Sequence, residues 1–143
     1  MAPAGRHQLR KDRLSKVIFM EAIILKGTYD TPDVILNAEE GVFEISGRSY
    51  PEDTAEFYIP ILEWINKYVE NPNSETKFTF KLDYFNSSSY KPFLDILIKL
   101  GKLNSNGNSV TIQWYYKDGD WDIKEAGEEF SEIVDVPFTY ATF

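Results

Sequence analysis

The sequence predicts an α/β (α+β) fold, in which a mixed sheet of four to five strands carries helices mainly on one face. Residues 75–85 and 109–116 alternate apolar and polar side chains at the period of a β-strand. Residues 53–69 and 89–103 have apolar side chains every three or four positions, which is the period of a helix. Strict alternation is typical of strands with one face against a core and one face in water. We therefore expect the helices to cover mainly one side of the sheet.

The first two predicted strands form a hairpin. Residues 33–36 and 42–47 are short apolar runs, and the loop between them, residues 37–41, ends on a glycine. We expect these strands to pair antiparallel. A last short strand is expected at residues 138–142.

The two regular strands are separated by a helix, which predicts how they pair. A strand, a helix and a second strand in succession imply a right-handed crossover with parallel strands. The helix between them, residues 89–103, is apolar except for one charged stripe, so we expect only that stripe to face water. Alternation in residues 75–85 predicts that four side chains share the covered face: Phe78, Phe80, Leu82 and Tyr84.

Two further helices are expected, one before this crossover in the sequence and one after it. Residues 53–69 begin with the capping-box pattern Asp53-x-x-Glu56. Pro60 lies in their middle and lacks an amide proton, so it predicts a kink or a division into two segments. The last helix is expected at residues 122–133.

Composition limits the class of protein. The chain has 143 residues, 43% of them hydrophobic and 15% aromatic, which is enough for one packed domain. It contains no cysteine, so disulfides, thiolate nucleophiles and cysteine zinc sites are excluded. No apolar stretch is long enough for a membrane span, and the N-terminal region does not have the pattern of a secretory signal. We expect a cytoplasmic protein without a cofactor or a membrane partner.

Charge is distributed unevenly along the chain. Residues 1–19 carry five basic side chains against one aspartate, a net charge of +4, which leaves −12 for the rest. We predict that residues 1–19 form a disordered basic leader and that residues 20–143 form the folded domain. A basic arm is also suited to nucleic acid or an anionic membrane. The acidic body argues against nucleic acid as a partner, because it repels phosphate.

A polar run, Asn86-Ser87-Ser88-Ser89, stands between the most regular strand and the most apolar helix, and we call it the serine loop. Serine and asparagine favour turns and helix N-termini for structural reasons alone, since their side chains accept hydrogen bonds from free amides. The functional interpretation is a phosphoacceptor serine, because the amides and dipole at a helix N-terminus favour an anion. Lys91 would add a charge-assisted contact.

One acidic segment superficially resembles a calcium-binding loop. Residues 118–129 space carboxylates as in a calcium-binding loop, but Ile123 occupies the position where such a loop needs glycine. We therefore interpret residues 117–120 as a turn and Asp122-x-x-Glu125 as a capping box.

The sequence offers no clear candidate for a catalytic centre. His7 is the only histidine and lies in the predicted leader, so we expect no histidine-based catalysis and no metal site. The carboxylates are too dispersed to nominate a catalytic pair. Four aromatic residues either form an interaction surface or belong to the core and sheet faces: Tyr84, Tyr115, Tyr116 and Trp121.

Several strings spread from about Thr31 to Phe143 resemble the SiaC family of regulatory phosphoproteins. They are Ser49-Tyr50-Pro51-Glu52, Phe57-Tyr58, Glu63-Trp64, Tyr84-Phe85-Asn86-Ser87-Ser88-Ser89-x-Lys91 and Glu128-Glu129-Phe130. The serine loop is also similar to the phosphorylated loop of STAS-type anti-sigma factor antagonists, which implies a STAS-like fold. The resemblance implies reversible phosphorylation by a cognate serine/threonine kinase and a PP2C-type phosphatase. It also implies that phosphorylation decides whether a partner binds, and for SiaC-type proteins that partner is a diguanylate cyclase.

Carried onto this chain, the family's modified hydroxyl follows the loop asparagine and falls on Ser87. The family's usual residue there is threonine, and Ser88 is the alternative in this chain. The resemblance makes Asn86, Ser88, Ser89 and Lys91 the loop and phosphate environment.

Pro92 limits where the helix after the serine loop can begin. Proline cannot donate to the helical ladder, so it fits best in a first turn. This predicts Ser89 as the N-cap and places Ser87 just before the helix.

The sequence therefore predicts a phosphorylation-switched protein-binding regulator in a bacterial signalling pathway, not an enzyme. The alternative is a small ligand-binding or hydrolytic domain that uses dispersed carboxylates. A deep polar pocket ringed by Asp and Glu would favour that alternative, whereas a shallow surface around the serine loop favours the regulator.

Overall fold

Six strands and three helices build residues 20–143, which are the residues that the computed structural model describes. The predictions for the leader, including His7, concern residues outside this range. The strands are β1 (Ile23–Leu25), β2 (Asp33–Asn37), β3 (Val42–Ser49), β4 (Glu75–Phe85), β5 (Ser109–Tyr116) and β6 (Phe138–Thr142). The helices are α1 (Thr54–Tyr68), α2 (Ser87–Ser105) and α3 (Trp121–Ile133).

The six strands form one mixed sheet in the order β1-β2-β3-β4-β5-β6. Strands β1, β2 and β3 pair antiparallel, while β3, β4, β5 and β6 pair parallel, so the predicted mixed sheet, hairpin and crossover are confirmed. The sheet has six strands, one more than the upper expectation, because β1 was not predicted. Three residues are too few for alternation to be recognised in the sequence.

All three helices pack on the same face of the sheet. Phe80 of β4 contacts Phe93 of α2 with ring centroids 5.3 Å apart, and Phe93 contacts Tyr58 of α1 at 5.7 Å. Trp114 of β5 contacts Phe130 of α3 at 5.7 Å. The core therefore lies between this face and the helices, and the heads of α1 and α2 meet where β3 and β4 end.

A β-bulge reverses the alternation near the end of β4. Leu82 pairs with Gly47 but Tyr84 pairs with Arg48, so Asp83 is an extra residue. The prediction that Tyr84 faces the core is therefore wrong, and its side chain is 45% exposed on the uncovered face. Phe85 turns inward instead, with its ring centroid 5.2 Å from that of Phe93.

The start of α1 agrees with the prediction. At Pro60, where a kink or a division into two segments was expected, the structure decides against the division. The Asp53 side chain accepts a hydrogen bond of 3.0 Å from the amide of Glu56, as expected of an N-cap. Helix α1 continues through Pro60 as one element, so the division into two segments is wrong. Buried side chains on both sides of the proline, including Tyr58 and Ile61, hold the two turns against the same core.

Helix α3 begins one residue earlier than predicted, and its cap differs. The Asp120 side chain accepts a hydrogen bond of 3.2 Å from the amide of Ile123. The capping box proposed for Asp122 and Glu125 is therefore wrong. Asp122 lies in the first turn, where the helix dipole stabilises its negative charge. Within residues 20–143 no helix is long and apolar enough to cross a membrane.

Candidate functional site at the head of α2

Helix α2 begins directly after β4, and its cap is Asn86. Asn86 has an extended backbone with φ −91° and ψ 172°, and Ser87 is the first helical residue. The predictions that Ser89 is the N-cap and that Ser87 precedes the helix are therefore wrong. Pro92 lies in the second turn, where its missing amide leaves the carbonyl of Ser88 without a helical donor. Ser88 is exposed, so water can bind that carbonyl.

The cap side chain binds hydroxyls and not backbone amides. The amide oxygen of Asn86 accepts hydrogen bonds from Ser88 Oγ at 2.8 Å and Ser89 Oγ at 3.2 Å. It makes no hydrogen bond to the amides of the first turn. The amide of Ser89 donates to the backbone carbonyl of Asn86 at 3.1 Å, while the amides of Ser87 and Ser88 have no acceptor within the helix and keep the partial positive charge of the helix N-terminus.

The three serines of the loop have different exposures. Ser87 and Ser88 are exposed, whereas Ser89 is completely buried. Ser88 Oγ lies 2.7 Å from Thr54 Oγ1 at the head of α1, in addition to its bond to Asn86. A phosphate on Ser88 would have to displace these bonds, and a kinase cannot reach Ser89 without unfolding the loop.

Buried hydroxyls connect the serine loop to β3 and α1. Ser49 Oγ lies 2.8 Å from Ser89 Oγ and 2.5 Å from the hydroxyl of Tyr58. Ser89 Oγ also donates to the carbonyl oxygen of Ser49 at 2.9 Å. These bonds are consistent with one another when Tyr58 donates to Ser49, Ser49 donates to Ser89, and Ser89 directs its single proton to that carbonyl, which is nearer than the Asn86 amide oxygen. Burial raises the pKa of Tyr58, and the hydrogen bond with Ser49 offsets part of that rise.

The roles of Ser49, Thr54 and Tyr58 in this site were not predicted from the sequence. Tyr58 had one detectable signal, because it precedes Ile61, Ile65 and Tyr68 at helical spacing on the core-facing side of α1. A tyrosine in that position needs a buried partner for its hydroxyl. The partner itself, Ser49, was not predictable from spacing.

Lys91 is present near the loop but is already paired. Its ammonium nitrogen lies 3.2 Å from a carboxylate oxygen of Asp95, one helical turn further along α2. The Lys91 side chain is 81% exposed and that of Asp95 is 33% exposed. The pair is therefore a surface interaction that a nearby anion can disturb.

The sequence left four aromatic side chains, Tyr84, Tyr115, Tyr116 and Trp121, open between a core and a surface role. Tyr84 is on the surface, where the guanidinium carbon of Arg48 lies 5.5 Å from its ring centroid. Trp121 is 61% exposed and lies beside Lys124. Tyr115 and Tyr116 are half-buried.

The closest match to an acidic pocket is a wide hollow of about 990 Å³ beside α1. Its carboxylates are Asp30, Glu52, Asp53 and Glu56. Asp53 caps α1, and Asp30 accepts a hydrogen bond of 2.9 Å from Thr28 Oγ1. Two of the four therefore have structural roles. Among residues 20–143 no group of three His, Cys, Asp or Glu side chains is arranged to hold a metal ion.

Comparison with known proteins agrees with the resemblance seen in the sequence. A family model described as SiaC family regulatory phosphoprotein matches residues 25–143. A protein of Pseudomonas aeruginosa (strain UCBPP-PA14), called uncharacterized protein PA14_02130, is 29% identical over 119 residues, which cover 83% of this chain and 94% of that protein.

Solved structures of SiaC from Pseudomonas aeruginosa have the same fold. The structure of apo-SiaC superposes with a TM-score of 0.77 at 28% identity, over 84% of this chain and 98% of that one. SiaC in complex with the diguanylate cyclase SiaD, of which it is the activator, superposes with a TM-score of 0.79 at 27% identity. That match covers 85% of this chain and 99% of SiaC. The chain belongs to the SiaC family of regulatory phosphoproteins.

Proposed function

We propose that this chain is a phosphorylation-switched binding protein of a bacterial signalling pathway, with Ser87 as its phosphoacceptor and a diguanylate cyclase as its bound partner. The observation that carries the proposal is the position of Ser87. It is an exposed hydroxyl at the first residue of α2, directly after the capping asparagine, in a member of a regulatory phosphoprotein family.

The local chemistry supports a phosphate at Ser87. The free amides and the dipole at the head of α2 stabilise an anion there. Lys91 lies four residues later, so the two side chains share one face of the helix. A phosphate on Ser87 would compete with Asp95 for the Lys91 ammonium group.

The same position explains how modification would block a partner. A phosphoserine adds roughly −1.5 to −2 charges near neutral pH. A partner that docks over the serine loop without a guanidinium to meet the phosphate would have to desolvate that charge. The fold would survive, because Ser87 lies outside the buried hydroxyl network of Ser49, Tyr58 and Ser89.

The partner is inferred from the relatives. SiaC of Pseudomonas aeruginosa is described in complex with the diguanylate cyclase SiaD as its activator, so we propose a diguanylate cyclase as the partner of this chain. The switch further requires a serine/threonine kinase and a PP2C-type phosphatase, and a cytoplasmic location. The role is regulatory and not enzymatic.

The test is direct phosphorylation. The full chain is incubated with ATP and its cognate serine/threonine kinase, and the peptide containing residues 86–89 is analysed by mass spectrometry. We expect one phosphate on Ser87, which a PP2C-type phosphatase removes, and no phosphate on Ser89. Ser87→Ala is the control that should leave the peptide unmodified. A serine loop that stays unmodified in the wild-type chain would sink the proposal.

A further inference from the structure

Strand β6 forms one edge of the sheet and extends beyond the layer of helices. Its first residue, Phe138, is half-buried against Trp114 of β5, with ring centroids 6.4 Å apart. The four residues that follow are all exposed. Tyr140 lies on the same side of the strand as Phe138 and is 37% exposed. The edge therefore presents aromatic carbon to water beside the last covered strand.

The outer backbone groups of β6 require a strand as the occupant of this edge. Pro137 and Phe143 direct backbone groups to β5, in hydrogen bonds of 2.9 and 3.2 Å. Successive residues of a strand direct their backbone groups to opposite sides, so those of Phe138, Tyr140 and Thr142 point away from β5. No other strand of residues 20–143 pairs with them. A further strand would satisfy these amides and carbonyls.

The opposite edge of the sheet is less suited to pairing than β6. Natural proteins protect an edge by making the strand short or by placing charges, proline or a bulge on it. Strand β1 has only three residues and is followed at once by Lys26. Strand β6 has five residues without a charge or a proline, and its pairing with β5 is regular. It therefore lacks the features that keep an edge from pairing with another chain.

The sequence of β6 is complementary to itself when two copies run antiparallel. A two-fold axis at Tyr140 places this residue opposite Tyr140 of the second copy, and Phe138 opposite Thr142. Aromatic pairs and pairs of an aromatic with a β-branched residue stabilise antiparallel strands. No like charges oppose each other, although the chain as a whole has a net charge of −8.

Charges around the two ends of β6 favour the antiparallel direction. Nζ of Lys81 and Nζ of Lys117 lie 5.1 and 5.8 Å from the ring centroid of Phe143. Lys117 also pairs with Asp83, whereas Lys81 has no ion pair within residues 20–143. Asp135 is exposed just before the strand. Antiparallel pairing brings Phe143 within two residues of Asp135 of the second copy, so the basic end meets the acidic end.

We propose that β6 pairs antiparallel with β6 of a second copy of this chain, about a two-fold axis at Tyr140. Residues 138, 140 and 142 of the two copies exchange about six backbone hydrogen bonds. The pairing occupies the same edge in both copies, so it closes at two chains. One strand pair is a small interface, which makes the dimer weak. The serine loop follows β4, two strands away from this edge, and stays accessible.

The experiment compares the full, unphosphorylated, ¹⁵N-labelled chain at about 0.05 and 1 mM. Sedimentation equilibrium gives the mass, and NMR gives the rate of amide hydrogen exchange. We expect the mass to rise from one chain toward two, with a Kd on the order of 0.1 mM. The amides of Phe138, Tyr140 and Thr142 should exchange at least about twofold more slowly at the higher concentration. The amides of residues 139 and 141, which face β5, should not change.

Two charge variants test the position of the axis. Tyr140→Lys and Tyr140→Glu place like charges opposite each other, so each variant alone should dimerise at least about tenfold more weakly. An equal mixture of the two should recover the dimer. Ile24→Lys is the control, because Ile24 is 69% exposed on the opposite edge strand, and it should change Kd less than about twofold. If Tyr140→Lys lowers the Tm, Thr142→Pro replaces it, since this proline removes only an outward amide.

Four results would overturn the proposal. The first is a mass of one chain at 1 mM. The second is a dimer that survives both Tyr140→Lys and Thr142→Pro, or that Ile24→Lys breaks, because such a dimer uses another surface. The third is a mixture of the two charge variants that stays monomeric, which rules out the axis at Tyr140. The fourth is a mass above two chains, which rules out a closed pair.

Discussion

The two ends of α2 each carry an exposed serine, Ser87 at the head and Ser105 at the tail, but their surroundings differ. At the head, the hydroxyl groups of Ser88 and Ser89 bind the Asn86 side chain, which makes no hydrogen bond to the first-turn amides. At the tail, Asn104 donates to the carbonyl of Asp135 at 3.3 Å and accepts from the amide of Val110 at 3.4 Å.

The tail also contacts the segment after α3. A Cβ atom on Gly101 would lie 3.5 Å from the backbone nitrogen of Asp135, which is an ordinary contact distance. Both ends of α2 border a hollow, of about 360 Å³ at the tail and about 290 Å³ between α1 and α2 at the head. The helix dipole adds a further difference, because it favours an anion at the head and a cation at the tail. One end of the same helix is therefore suited to a reversible charge, and the other end serves as a structural joint.

The largest expected effect is on partner binding. Ser87→Asp should weaken the binding of SiaD from Pseudomonas aeruginosa by about 2 kcal/mol or more, roughly thirtyfold in Kd, because a charge must be desolvated at the serine loop. Ser105→Asp, which adds the same charge at the tail, should change Kd less than about twofold. Calorimetry with the unphosphorylated proteins measures both. Equal losses for the two variants would mean that the head of α2 has no special role in binding.

The second effect is on stability, and it should distinguish Ser89 from its neighbour Ser88 at the head of α2. Ser89→Ala should lower the free energy of unfolding by about 1–3 kcal/mol, because it removes the buried acceptor of the Ser49 hydroxyl proton and the donor to the Ser49 carbonyl. Ser88→Ala should change it by less than about 0.5 kcal/mol, since its bonds are exposed to water. Urea unfolding monitored by tryptophan fluorescence measures both. Similar values for the two variants would contradict the division between a buried and an accessible serine.

The third effect is a dependence of stability on pH. Burial raises the pKa of Tyr58 above its ordinary value of about 10, so the folded chain keeps this proton at a pH where the unfolded chain has lost it. The stabilisation is complete below about pH 10 and decreases above it, by up to about 1.4 kcal/mol per pH unit. Tyr58→Phe should show a shallower decrease between pH 10 and 12, although it is less stable at neutral pH. Parallel curves would indicate that Tyr58 ionises in the folded protein.

The smallest effect tests the helix dipole alone. Ser87→Asp should raise the free energy of unfolding by about 0.3–1 kcal/mol, and Ser105→Asp should lower it by a similar amount. Both differences should shrink in high salt, because screening weakens interactions between exposed charges. Urea unfolding in 20 mM and 1 M NaCl measures them. A loss of stability in Ser87→Asp would argue against an anion site at the head of α2.

Local patterns in the sequence were sufficient for most elements of the fold. Alternation identified β4 and β5, helical spacing identified α1 and α2, and the crossover rule predicted that β4 and β5 are parallel. The position of the serine loop between β4 and α2 was also predictable, because a change of period marks that junction. These features depend on neighbouring residues, whose preferences are expressed before any tertiary contact forms.

Register and helix orientation were decided by tertiary contacts. The bulge at Asp83 turns Tyr84 outward and Phe85 inward, and it depends on the pairing of β3 with β4. The burial of Ser89, but not of Ser87, depends on the rotation of α2 about its axis. That rotation follows from the apolar side chains that α2 buries, such as Phe93 and Ile96, and it brings Ser89 to Ser49, forty residues away in sequence. The sequence by itself determined that a serine-rich helix start follows β4, while only the packed structure decided that Ser89 joins the buried hydroxyl network and that Ser87 and Ser88 stay exposed.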